Sequence, residues 1–168
     1  PASGALLSIM ADSNDFRGVD LLIQDDGRLQ VHMIHKWPDN AVKIVTKEAL
    51  LAKQGPPRHI AVTYDGSSKA AGLKVYIDGV LQDFDVEVDQ LSDSVLASQP
   101  LNIGSRPSAG SLKGDVKDLR YFDRSLGTAE ILAVALEQLA QINLERLDSD
   151  KSLEEAILAW HLVASDDP

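Results

Sequence analysis

His59-Ile-Ala-Val-Thr-Tyr-Asp-Gly-Ser67 and, a short step later, Gly72-Leu-Lys-Val-Tyr-Ile-Asp-Gly79 are the runs whose reading decides the fold. Each is a short β-branched and aromatic segment, and each ends on Asp-Gly. The second alternates: Leu73, Val75 and Ile77 on one side, Lys74 and Tyr76 on the other, the period-two pattern of a strand. Asp65-Gly66 and Asp78-Gly79 supply tight turns, because glycine reaches positive φ without a Cβ clash. Working outward, Pro56-Pro57 breaks the chain before the first run. Upstream lie three more strands: Val19 to Ile23, Leu29 to Ile34 and Asn40 to Thr46, the first two joined at Asp26-Gly27. Downstream, Phe84, Val86 and Val88 alternate with Asp85, Glu87 and Asp89 and predict a half-exposed strand. Leu101 to Gly104 and Val116 to Phe122 complete the set. Turn signals recur about every ten residues with no helix between them, which predicts an antiparallel β-sandwich.

The period changes near residue 125. Ile131, Ala135, Leu139 and Ile142 recur at helical spacing, with Gly127 or Thr128 as N-cap and Glu130 in the first turn. Ser152-Leu-Glu-Glu155 is a capping box, and Leu153, Ile157, Trp160 and Ala164 share one helical face. Asp148-Ser-Asp-Lys151 is short enough to turn between the two, so residues 127–168 are expected to form a helical hairpin after a sandwich of residues 1–126. Charge marks the same boundary. The chain carries 16 basic and 26 acidic side chains, net −10, of which residues 125–168 hold 2 and 9.

That acidity argues against tracking nucleic-acid phosphates. With 168 residues the chain has the length of one domain, and its apolar runs fall short of the roughly 18 residues of a membrane-inserting helix. No cysteine is present, which excludes disulfides, thiol catalysis and Cys-ligated metal or haem. The chain opens on Pro1 rather than Met, as expected of a processed product or a piece of something longer.

In order and spacing, His59–Ser67, Gly72–Gly79, Leu101-Asn-Ile-Gly-Ser105 and Leu112 to Leu126 resemble the centre of laminin-G-like, concanavalin A-like jelly rolls. The resemblance covers roughly residues 1–131 and implies a lectin/glucanase-type sandwich. A narrower likeness lies in Arg17-Gly-Val-Asp-Leu-Leu22, in Val31-His-Met-Ile-His-Lys-Trp-Pro-Asp-Asn-Ala41, and in the tail ending Ile157 to Asp167. These stretches resemble a jelly-roll module inserted in large bacterial multidomain proteins that also carry cytochrome-c-type domains, which implies a periplasmic or cell-surface setting. Such modules begin with a further leading strand that pairs next to the last one. Here the segment Gly4 to Met10 already stands at the N-terminus. The expectation is therefore a homodimer through an open edge at Val116 to Phe122, or coverage of that edge by the helical tail.

Three site readings follow. The block His35-Lys-Trp-Pro-Asp-Asn40 places an aromatic ring beside polar groups, the combination that stacks a sugar and binds its hydroxyls. Arg17, His32, His35, Trp37, Asp39 and Asn40 are the candidate carbohydrate-binding set, and Trp37 capping the sandwich over Pro38 is the structural alternative. His32, His35 and Asp39 also suggest a transition metal, but residues three apart on a strand point to opposite faces. The family habit of binding calcium points to Asp12, Asn14 and Asp15, a cluster that equally suits a solvated turn. Catalysis has little support. Asp83, Asp85, Glu87 and Asp89 share a strand face by parity, but they look like its solvated side rather than a glycosidase carboxylate pair. The expected function is a non-catalytic binding module of an exported protein, with a structural spacer docking neighbouring domains as the rival and a degenerate glycoside hydrolase as a third option.

Overall fold

The structure, a computed structural model, describes residues 3–12, 15–49, 55–106, 108 and 110–150. In chain order the strands are β1 (Gly4–Met10), β2 (Gly18–Ile23), β3 (Leu29–Lys36), β4 (Asn40–Thr46), β5 (Ile60–Tyr64), β6 (Leu73–Ile77), β7 (Val80–Gln82) and β8 (Phe84–Asp89). Three two-residue strands follow, β9 (Asn102–Ile103), β10 (Ser105–Arg106) and β11 (Gly110–Ser111), and then the helix α1 (Thr128–Asp150). They build two sheets. The large one runs β10-β11-β1-β2-β3-β4-β8 with β9 also on β1, and the small one runs β5-β6-β7. All pairs are antiparallel except β1 with β11.

Strand parity sorts the core. Leu29, Val31 and Met33 of β3 meet Leu73, Val75 and Ile77 of β6 in one buried cluster between the sheets. The even residues of β3, Gln30, His32 and Ile34, therefore face the other side of the large sheet, where Ile34 packs with Met10, Ala41, Phe16, Trp37 and Val88. The small sheet is covered on its second face too: Tyr76 packs with Leu126 and Ile131 of the helical region, and its hydroxyl lies 3.3 Å from Thr128 Oγ1. Gly79 is fixed by this packing, since a Cβ there would stand 2.6 Å from Leu132 Cδ1. Among the described residues no helix is long and apolar enough to cross a membrane.

Three expectations need correction. Val116 to Phe122 forms no strand. Asp118 sits at φ 51°, which breaks the extended run, and its carbonyl accepts from Gln138 Nε2 of α1 at 2.8 Å. The segment is tied to the helix instead, Arg120 to Glu137 and Lys117 to Glu145. Second, α1 continues through Asp148, Ser149 and Asp150, so the hairpin turn expected there is helix. No glycine or proline between 128 and 150 interrupts it. The second helix expected from Ser152 onward lies outside the described residues. Third, Phe84 and Val88 do not share a face: Phe84 joins the core between the sheets and Val88 the opposite cluster. The register explains it, because Lys43 pairs with Val88 and Ile44 with Val86, leaving Glu87 as an extra, bulged residue. The same bulge separates the acids. Glu87 reaches Lys43, whereas Asp89 Oδ1 accepts from the Ala70 backbone N–H at 2.8 Å.

Candidate functional site

The face of the large sheet turned away from the small one carries a polar row. Ser8 pairs with Asp20, Asp20 with His32 and His32 with Lys43 across β1, β2, β3 and β4. Because the four sit in register, their side chains stand shoulder to shoulder. Asp20 is the centre. Its side chain has no exposed surface, yet its carboxylate is matched on both oxygens: Oδ1 accepts from His32 Nδ1 at 2.8 Å, and Oδ2 accepts from Arg106 of β10. A buried carboxylate needs such partners. His32 Nε2 lies 3.2 Å from the Gln30 side-chain amide, so the assignment that satisfies both contacts puts the ring proton on Nδ1.

Above this row opens a cavity of about 260 Å3 lined by Phe16, His32, Ile34, Trp37, Lys43 and Arg106. Its two aromatic side chains, Phe16 and Trp37, come from two turns. The β1–β2 turn closes by Ala11 N–H donating to Arg17 C=O at 2.8 Å and places Phe16 at φ 50°. Gly18 begins β2 directly behind it at φ 142°, where a Cβ would fall 2.0 Å from the Ile9 carbonyl oxygen. The β3–β4 turn carries Trp37, whose backbone N–H donates to Asp15 C=O at 3.1 Å and joins the turns. His32 meets the Trp37 ring edge-on, with centroids 5.5 Å apart and planes at 77°. Lys43 Nζ stands 5.9 Å from the Trp37 centroid, and the Arg106 guanidinium 5.5 Å from that of Phe16. A larger, shallower hollow of about 510 Å3 lies by Gln24, Asp25, Asp26 and Gln30, and neither an aromatic ring nor a cation lines it.

The six residues read from sequence do not converge on one place. His32 and Trp37 line the cavity. Arg17, His35 and Asn40 instead hold the segment after β8. Arg17 donates to the His35 carbonyl at 3.3 Å and to its Nε2 at 3.1 Å, and His35 Nδ1 donates to the Ser94 carbonyl at 2.8 Å. Asn40 Nδ2 donates to Asp93 at 2.7 Å and its Oδ1 accepts from Ser92 N–H at 2.9 Å. The Asn40 amide, then the Ser92 hydroxyl, with the Arg17 charge adding to them, hold the Asp93 carboxyl below its usual range. Asp39 is exposed at the turn and does not line the cavity. As parity requires, His32 and His35 do not converge. Among the described residues no group of three His, Asp or Glu is placed to hold a metal. Of the calcium cluster Asp12, Asn14 and Asp15, Asn14 lies outside the described residues. Phe16, Ile34, Lys43 and Arg106 are the cavity residues that sequence reasoning missed, and Asp20 beneath them was missed too. The signal for Asp20 was present, an acid within the otherwise apolar run Val19 to Ile23.

The family model Laminin_G_3, described as the concanavalin A-like lectin/glucanases superfamily, matches residues 1–132. No curated protein matches the chain. Among solved structures, the crystal structure of residues 221–444 of an S-layer domain-containing protein from Clostridium thermocellum is similar at 22% identity and a TM-score of 0.40. The match covers 80% of this chain and 63% of that one.

Proposed function

We propose that this chain, which belongs to the concanavalin A-like lectin/glucanases superfamily, is a non-catalytic module that binds a carbohydrate ring in the Trp37 cavity. The observation that carries the reading is the meeting of His32 and Trp37 on one cavity wall, 5.5 Å apart, above a row of hydrogen-bonding side chains. An aromatic face with polar groups at its edge is complementary to a sugar, whose C–H face is apolar and whose rim is hydroxyl. The size suits one ring rather than an extended chain. Glycosidase chemistry finds no support, because a carboxyl pair about 5 to 9.5 Å apart must flank one bond, and the β8 acids turn to different partners. The setting we propose, from the resemblance of Arg17–Leu22 and Val31–Ala41, is the periplasm or cell surface of a bacterium, within a larger exported protein. A glycan array followed by titration tests the binding. Retained glycans that are lost in Trp37→Ala support the reading, and retention that survives Trp37→Ala overturns it.

A second reading, a module that docks neighbouring domains or a second copy, is favoured by a separate observation. Ile9, Val19 and Ile103 lie on the face of the large sheet that elsewhere packs on the small sheet, yet they are 38%, 38% and 50% exposed. Three strands do not cover eight. Among the described residues β5 pairs with β6 alone. Light scattering distinguishes the outcomes: a dimer that Val19→Asp dissociates supports self-docking, and a monomer at all concentrations overturns it.

A further inference from the structure

We infer that the ring held in the Trp37 cavity is an acidic one, a uronic acid, with Lys43 as the group that selects its carboxylate. This rests on the carbohydrate reading above and adds the ligand's charge. The molecule as a whole is acidic, net −10, yet both fully charged side chains lining the cavity are cations, Lys43 and Arg106. Among the described residues neither has a buried anion facing the opening. Asp20 lies beneath, without exposed surface, and both of its oxygens are engaged by His32 and Arg106. Among the described residues the Arg106 Nε–H, itself buried, has no partner.

Lys43 has a different kind of partner. Its side chain is 18% exposed, and Nζ lies 2.6 Å from Glu87, whose side chain is 47% exposed on the β8 bulge. Water competes for the Glu87 end of this pair, which weakens its hold on the ammonium. The Glu87 carboxylate thus occupies, from the rim, a place beside Lys43 that a ligand carboxylate is able to take. Lys43 Nζ also stands over the Trp37 ring at 5.9 Å. A sugar stacked on that ring brings a carboxylate at its edge within reach of the ammonium. A neutral sugar meets the same aromatic wall but leaves Lys43 with Glu87. The chemistry of selection is a charge-assisted hydrogen bond, directional and stronger than one between neutral groups.

The test uses the full chain carrying Trp160→Phe, which leaves Trp37 as its one tryptophan, with fluorescence titrations of D-glucuronate, D-galacturonate, D-glucose, D-galactose and acetate. One or both uronates are expected to bind about tenfold more tightly than the matching neutral sugar, the ratio of one charge-assisted contact. Lys43→Met should bring uronate affinity down to the neutral level. Glu87→Gln should do the reverse, raising uronate affinity about threefold by freeing the ammonium. That gain is one a merely destabilised protein does not produce. Equal binding of uronate and neutral sugar overturns the acidic specificity while leaving the carbohydrate reading intact. Acetate binding as tightly as uronate, or no sugar perturbing Trp37, overturns the carbohydrate reading itself.

Discussion

Carboxylates meet arginines both on the large sheet and along α1, and the two meetings differ in what surrounds them. On the large sheet, Asp20 and Arg106 pair with side chains 0% and 10% exposed, joining β2 to β10 across 86 residues of sequence. Between residues 117–124 and α1, Arg120 reaches Glu137 at 3.1 Å and Arg124 reaches Glu130 at 2.6 Å, all of them open to solvent. By distance alone the second region looks equally well bonded. Dielectric environment separates them: water screens the helix pairs and not the sheet pair. The buried pair fixes which strand lies where at the cavity, whereas the exposed pairs hold α1 against a segment that already touches it.

The largest effect should therefore come from Arg106→Met. It leaves Asp20 charged and enclosed with His32 as its remaining partner, and removing one member of a buried pair costs about 3–5 kcal/mol. Urea denaturation checks this. Adding Asp20→Asn should restore more than half of the loss, since the amide oxygen still accepts from His32 Nδ1 and no uncompensated charge remains. A cost under about 1 kcal/mol for Arg106→Met would mean the pair is solvated and the contrast between regions is false.

Arg120→Ala comes next. It removes contacts to both Asp118 and Glu137, which hold that guanidinium firmly protonated. We expect a drop in Tm of about 3 °C in low salt that vanishes near 1 M salt, where the screening length is about 3 Å. The Arg106 effect should persist at that salt. If salt leaves both losses unchanged, screening is not what divides the two regions.

The same contrast explains what the sequence discloses. Leu73-Lys-Val-Tyr-Ile77 is readable because alternation reports burial directly, and Leu73, Val75 and Ile77 do face the other sheet. Trp37 and His32 were readable as candidates because their chemistry is unusual on a turn and a strand. Arg106 was not, because what gives it a role is contact with Asp20, 86 positions away. Val116 to Phe122 fails for a related reason: its composition suits a strand, but a strand exists only beside another, and Asp118 at φ 51° turns this run toward α1. Glu87 fails more locally, since a bulge depends on the partner strand's register as well as on its own residues.

The smallest expected effect is also the one whose pH dependence is most specific. Glu130 accepts from Arg124 at 2.6 Å and from the Gly127 N–H at 2.8 Å, closing the first turn of α1. Arg124 first, then that backbone donor, lower its pKa from 4.5 to about 2. The folded state thus holds this proton less tightly than the unfolded one, so the stabilisation is complete above pH 4.5. It is lost as pH falls from 4.5 toward about 2. Glu130→Gln keeps an oxygen for the Gly127 N–H and removes the charge. At pH 7 it should lower Tm by roughly 2 °C or less. As acid protonates Glu130 in the parent chain, the two melting curves should converge, meeting near pH 2. A Glu130→Gln gap that persists unchanged at pH 2 would show that the carboxylate acts by packing rather than by charge, and would remove the electrostatic basis for setting α1 apart from the sheet.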